Sequence, residues 1–215
     1  LGSTLYNYKS TRSVTLDIMI NHSISVRQGI SDSLMVVDMP YNTYNNPFQA
    51  LKNCKKVMKL TKCDAVKLEG GLKIFKILKH LIKNKIPVMG HLGILPQSNK
   101  GKFKSKGKSI KEKNQLIREC KILEEVGVFS LVLECVDRKL SKHITNMLKI
   151  PTIGIGSSIN CDGQILVTDD VLGLTNSQMK FVKKFVDVKK LINEGVKKFK
   201  KEVKSKKFPS KKYSY

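Results

Sequence analysis

The sequence contains no tryptophan, only 17 acidic residues against 41 basic ones, and just four arginines (Arg12, Arg27, Arg118, Arg138) among those 41. The shortage of arginine matters because bidentate readout of bases and phosphates favours its planar guanidinium over the lysine ammonium. The net charge of +24 is therefore lysine, spread along the whole chain. It makes solvated faces and weak salt-sensitive adhesion, not a specific nucleic-acid surface. Five cysteines (Cys54, Cys63, Cys120, Cys135, Cys161) are odd in number and form no CxxC pair. Neither a disulfide framework nor a structural zinc site is indicated, and free, mostly buried thiols are expected. No apolar run approaches the roughly 20 residues that span a bilayer. The opening LGSTLYNYKSTRS also lacks the charged, apolar, small-residue order of a signal peptide. A globular cytoplasmic protein with no membrane partner is the expectation.

What is present alternates. Short, β-branched apolar runs occur at SLMVVD (33–38), AVKLEGG (65–71), IPVMGHLG (86–93), FSLVLEC (129–135), IPTIGIGSS (150–158) and GQILV (163–167). Between them lie helical patterns at 48–61, 74–84, 110–127 and 141–149. Alternation of strand and helix predicts a parallel α/β fold, and strands apolar on both faces predict a covered sheet. One domain, residues 1–215, is expected. Within it, NKGKFKSKGK (99–108) reads as a mobile loop after a strand, placed to act as a lid. Residues 186–215 read as a lysine-rich helix and tail, docked through Val188, Leu191, Ile192, Val196, Phe199 and Val203.

The strand ends carry the chemistry. Asp38 follows LMVV, Lys67 and Glu69 lie in AVKLEGG, His91 follows IPVMG and Glu134 ends FSLVLE. Alternate residues of a strand share a face, so Lys67 and Glu69 point the same way. A strand-end salt bridge accounts for that pair alone. Ionisable groups after apolar residues on several strands are harder to explain by packing. In a parallel barrel the C-terminal strand ends open on one face, where catalytic groups collect. Asp38 and Glu69 can hold a hard cation such as Mg²⁺ through oxygen, and Lys67 can neutralise a substrate carboxylate. Glu134 at an apolar strand end suits a general base, its pKa raised by burial. Together these groups suit enolate formation from a 2-oxo acid. His91 shares the face, as either a packing or a catalytic residue; His22, His80 and His143 read as structural or surface residues.

VVDMPY (36–41), AVKLEGG (65–71), GHLGILPQS (90–98), LVLECV (131–136) and IPTIGIGSSINCDGQILVTDDVLGL (150–174) resemble, in order and spacing, the ketopantoate hydroxymethyltransferase family. The resemblance covers nearly the whole chain, down to KFP near its C-terminus. It implies a TIM (β/α)₈-type barrel of the phosphoenolpyruvate/pyruvate superfamily. The implied reaction carries a hydroxymethyl group from 5,10-methylenetetrahydrofolate to 3-methyl-2-oxobutanoate, giving 2-dehydropantoate on the way to pantothenate. Mg²⁺ and a decameric homo-oligomer are implied with it. By the same resemblance Asp38 meets metal and substrate, Lys67 binds substrate, Glu69 binds metal and Glu134 is the base. Leu1 and Gly2 match the end of the family's Gly-Asp-Ser-Leu-Gly, so the first two strands, with a further metal-binding aspartate and a substrate-contacting serine, are expected to be missing from this chain. Leu95 stands where the family usually has threonine, and the loop GKFKSKGK is unusually rich in lysine. Two alternatives remain open: another Mg²⁺-dependent 2-oxo-acid lyase of the superfamily, and a truncated non-catalytic remnant.

Overall fold

The computed structural model describes residues 1–98 and 104–215. It divides into two compact units, residues 1–165 and 166–215.

The first unit is built on six strands: β1 (Val36–Asp38), β2 (Ala65–Glu69), β3 (Val88–Gly93), β4 (Ser130–Glu134), β5 (Thr152–Ile155) and β6 (Gly163–Gln164). They lie side by side in sequence order, every neighbouring pair parallel. Strand order never reverses, as it does in a doubly wound sheet, so the unit is an arc of a β/α barrel. Helix α3 (Pro47–Thr61) links β1 to β2, α4 (Phe75–Lys83) links β2 to β3, α5 (Ile110–Val126) links β3 to β4, and α6 (Arg138–Met147) links β4 to β5. The short α1 (Gly2–Leu5) and the longer α2 (Leu16–Gln28) precede the sheet.

Local sequence fixes the helix ends. Asn46 caps α3 by accepting from the Gln49 N–H, Pro47 follows at a position that needs no donor, and Lys62 closes the helix at φ 56°. Ser109 caps α5 in the same manner, and Gly127 ends it at φ 100°. The outward residues Val66, Leu68, Leu131 and Leu133 pack with Val57, Leu78, Leu81 and Leu123 of the helices, all essentially inaccessible. Each such side chain contributes on the order of 1.5–3 kcal/mol by leaving water.

All six expected strands form, each shorter than its apolar run. β6 stops at Gln164, although the Ile165 N–H still reaches the Gly154 carbonyl at 3.0 Å. Helix α2 was not visible in the sequence. LDIMINHSISVRQ mixes β-branched residues and serines without a clean stripe, and it is held by the Thr15 cap and by buried Ile20 and Ser23. Of the expected 99–108 loop, residues 99–103 lie outside the described residues. The part after them is pinned: Lys106 pairs in parallel with Val136, and its N–H donates to the Cys135 carbonyl at 2.9 Å.

The second unit contains α7 (Thr168–Val171), α8 (Val188–Lys204) and a short turn at Lys211–Tyr213. Within this unit nothing covers the apolar face of α8. None of its residues is buried, and Leu191, Ile192, Val196, Phe199 and Val203 are all exposed. A four-residue helix and turns offer too little apolar surface to cover a 17-residue stripe; Phe199 meets Phe208 edge-on at 5.5 Å. Among the described residues no helix is long and apolar enough to cross a membrane.

Candidate active site

Strand register sets the site. Asp38 lies beside Lys67, Glu69 beside His91 and Gly93 beside Glu134. With alternate residues facing inward, β2 contributes Lys67 and Glu69, β3 contributes His91, and β4 contributes Glu134 to one surface. The absence of a side chain at Gly93 is required there. Its φ is 100°, and a Cβ would lie 2.1 Å from the Glu134 carbonyl oxygen.

Five residues expected from the sequence converge. Lys67 Nζ lies 2.7 Å from Asp38 Oδ1 and 3.2 Å from His91 Nδ1. His91 Nε2 lies 3.1 Å from Glu134 Oε2, and Nδ1 lies 3.9 Å from Glu69 Oε1. Two of these contacts are short without being aligned as hydrogen bonds: Asp38 Oδ1 and His91 Nε2 are buried and have no properly directed partner. His91 and Glu69 are deeply buried, 2% and 5% exposed.

That burial sets protonation. The Glu69 carboxyl is raised to about 7, chiefly by loss of water and next by the charge of Asp38, against the opposing pull of Lys67. Burial lowers the pKa of His91 and favours neutral imidazole. With Lys67 able only to donate, Nδ1 is the acceptor, which places the ring proton of the neutral form on Nε2, 3.1 Å from Glu134 Oε2 but not directed at it.

Two further residues belong to the cluster. Gln97 is buried, its N–H donates to Glu69 Oε2 at 3.0 Å, and its side-chain amide donates to the Met39 carbonyl at 3.0 Å. Arg12 Nε in turn donates to the Gln97 carbonyl at 2.7 Å, and its guanidinium stacks 4.5 Å from the Tyr41 ring centre. Tyr44 has its phenol pKa raised by burial and by the charges of Glu69 and Asp38. Sequence reasoning missed both residues. Gln97 lay within a quoted motif, GHLGILPQS, whose polar end was not assigned; nothing in the sequence distinguished Tyr44 from a loop aromatic.

Among the described residues no three His, Cys, Asp or Glu side chains are arranged to hold a metal by themselves. All five cysteines are free.

A model of the ketopantoate hydroxymethyltransferase family matches residues 1–211. A 3-methyl-2-oxobutanoate hydroxymethyltransferase of Pelagibacter ubique (strain HTCC1062) is 59% identical over 215 residues, covering 100% of this chain and 83% of that relative. Among solved structures, 2,3-dimethylmalate lyase, a PEP mutase/isocitrate lyase superfamily member, aligns with TM-score 0.54 at 10% identity over 71% of this chain and 55% of its own. Phosphonopyruvate hydrolase aligns with TM-score 0.56 at 9% identity over 98% of this chain and 76% of its own. These two share the fold.

Proposed function

The chain belongs to the ketopantoate hydroxymethyltransferase family, and on that premise we propose that its inward cluster moves a hydroxymethyl group from 5,10-methylenetetrahydrofolate to 3-methyl-2-oxobutanoate, giving 2-dehydropantoate. The observation that carries this reading is His91, which touches Lys67 at 3.2 Å and Glu134 at 3.1 Å. One cation and one candidate base are thus held on opposite edges of a single buried ring.

Lys67 binds the substrate carboxylate, sharing the charge it now gives Asp38. Glu134 takes the C3 proton, and the C–H electron pair becomes the C2=C3 double bond as negative charge moves to the 2-oxo oxygen. His91 Nε2 lies beside the Glu134 carboxylate at 3.1 Å. Water replaces both folate nitrogens on the one-carbon unit, its protons passing to those nitrogens, so that tetrahydrofolate and formaldehyde form; C3 of the enolate then bonds to the formaldehyde carbon, the carbonyl pair moves to its oxygen, and the proton held by Glu134 returns to that oxygen as the hydroxyl.

Asp38 and Glu69 are the residues that would hold Mg²⁺. The donor set fits: both offer oxygen, and buried Asp38 Oδ1 has no directed hydrogen-bond donor. Two carboxylates leave room for water and substrate oxygens, as Mg²⁺ prefers. When bound, the ion supplies positive charge beside the oxygen on which negative charge develops.

Five free thiols suit a reducing cytoplasm. The exposed apolar stripe of α8 supports a homo-oligomer. A superfamily lyase is less well supported, since the likeness to 2,3-dimethylmalate lyase is 10% in sequence and concerns the fold.

The direct test is product formation. With Mg²⁺ and both substrates the protein should release 2-dehydropantoate and tetrahydrofolate in equal amounts, and chelation should abolish the reaction. Cleavage of a 2-oxo acid without folate would favour the lyase. A second expectation concerns Lys67→Ala. Losing a charge-assisted contact to the substrate should raise the KM for the 2-oxo acid roughly 10- to 100-fold with a smaller change in kcat. An unchanged KM would remove Lys67 from substrate binding.

A further inference from the structure

The two carboxylates assigned to Mg²⁺ stand on different strands, Asp38 at the end of β1 and Glu69 at the end of β2. The ladder between these strands stops where Asp38 pairs with Lys67, so it does not fix the gap between the carboxylates. A third segment does. Pro96 takes the second position of a turn closed by the Ser98 N–H on the Leu95 carbonyl at 3.0 Å, which puts Gln97 third, with its own N–H outside the turn's hydrogen bond. That N–H donates to Glu69 Oε2 at 3.0 Å, while the side-chain amide donates at 3.0 Å to the carbonyl of Met39, the residue after Asp38. One buried residue spans both strand ends.

The turn is itself held by the N-terminal segment. Ser10 caps the turn Thr11–Ser13 by accepting from the Arg12 N–H at 3.2 Å. From there Arg12 Nε donates to the Gln97 carbonyl at 2.7 Å, and the Thr11 hydroxyl donates to the Pro96 carbonyl at 3.4 Å. The guanidinium also lies over Tyr41, on the loop that carries Met39. Its planar, delocalised cation can stack on the ring and hold a carbonyl at once, which a lysine ammonium does less well. Among the described residues Arg12 forms no ion pair with either carboxylate.

We infer that Arg12 is a positioning residue for the metal carboxylates. Through Gln97 it fixes the separation of Asp38 and Glu69 and commits Glu69 Oε2 to a hydrogen bond, so that Oε1 is the oxygen left for a cation. The inference rests on the placement of Mg²⁺ at Asp38 and Glu69 in the proposed function, and it adds the device that sets their spacing.

Mn²⁺, which like Mg²⁺ takes an octahedral set of oxygens, is a probe of this site that needs no turnover, since the paramagnetic signal of the free ion reports binding. Arg12→Ala should weaken Mn²⁺ binding roughly 10-fold, the scale of one lost charge-assisted hydrogen bond, and Arg12→Lys should fall between that variant and the unaltered protein. Binding of 3-methyl-2-oxobutanoate in EDTA, which draws on Lys67, should stay within about twofold in both variants. Unchanged Mn²⁺ affinity in Arg12→Ala would overturn the inference, as would an equal loss of Mn²⁺ and 2-oxo-acid binding, which would make Arg12 a support of the whole fold. A measurement on the unaltered protein guards against a folding defect. The Gln97 amide proton should exchange with solvent more slowly when Mg²⁺ is added, because the cation and that N–H hold one carboxylate, and exchange indifferent to Mg²⁺ would also overturn it. Glu69→Gln tests the premise separately. If it binds Mn²⁺ as well as the unaltered protein does, the metal placement falls and the inference with it; if it loses Mn²⁺ while Arg12→Ala does not, only the role of Arg12 falls.

Discussion

Glu134→Gln should slow folate-free exchange of the C3 proton of 3-methyl-2-oxobutanoate by roughly 10²- to 10⁴-fold, the contribution of a positioned general base. The amide keeps the size of the carboxylate and can still contact His91 Nε2, so substrate binding should change little. What it loses is the capacity to accept the proton. Neutral His91 is the competing base, but its Nε2 carries the ring proton and its Nδ1 is engaged by Lys67. Undiminished exchange in the variant, with Lys67 intact, would transfer the role of base to His91.

The second large effect is on stability. Burial and the charge of Asp38 raise Glu69 from 4.5 to about 7. Between those values the folded chain keeps a proton that the unfolded chain has released. Stability therefore falls as pH rises from about 4.5 to about 7, by about 3 kcal/mol in all. Glu69→Gln removes the titration. In metal-free buffer at about pH 8 the variant should be more stable than the unaltered protein by that order, and at about pH 4 the two should agree. Denaturant titrations in EDTA at the two pH values would measure it. Equal stability at the higher pH would mean Glu69 is ionised without cost. The same variant should lose Mg²⁺-dependent transfer, so the site trades stability for a carboxylate held ready for a cation.

Much of this site was legible because a parallel barrel converts strand ends into one surface. AVKLEGG, GHLG and LVLEC each end an apolar run with an ionisable side chain, and register then brings Lys67, Glu69, His91 and Glu134 together. The position of His91 between Lys67 and Glu134 was not legible, since strand spacing says nothing of side-chain reach. Gln97 acts largely through its backbone N–H and an amide on a distant carbonyl, interactions that residue type does not announce. Helix α2 escaped notice for a different reason: its stability comes from a cap and two buried residues, not from a periodic stripe. For α8 the periodicity was real and the helix forms, but periodicity identifies an apolar face without identifying what covers it.

The most direct test of metal-assisted enolisation at this cluster is proton exchange by the unaltered protein, followed by NMR of the C3 signal of 3-methyl-2-oxobutanoate in D₂O. The proposed chemistry predicts exchange that needs Mg²⁺, stops on chelation and proceeds without any folate. Exchange indifferent to chelation, or appearing only when 5,10-methylenetetrahydrofolate is added, would contradict it.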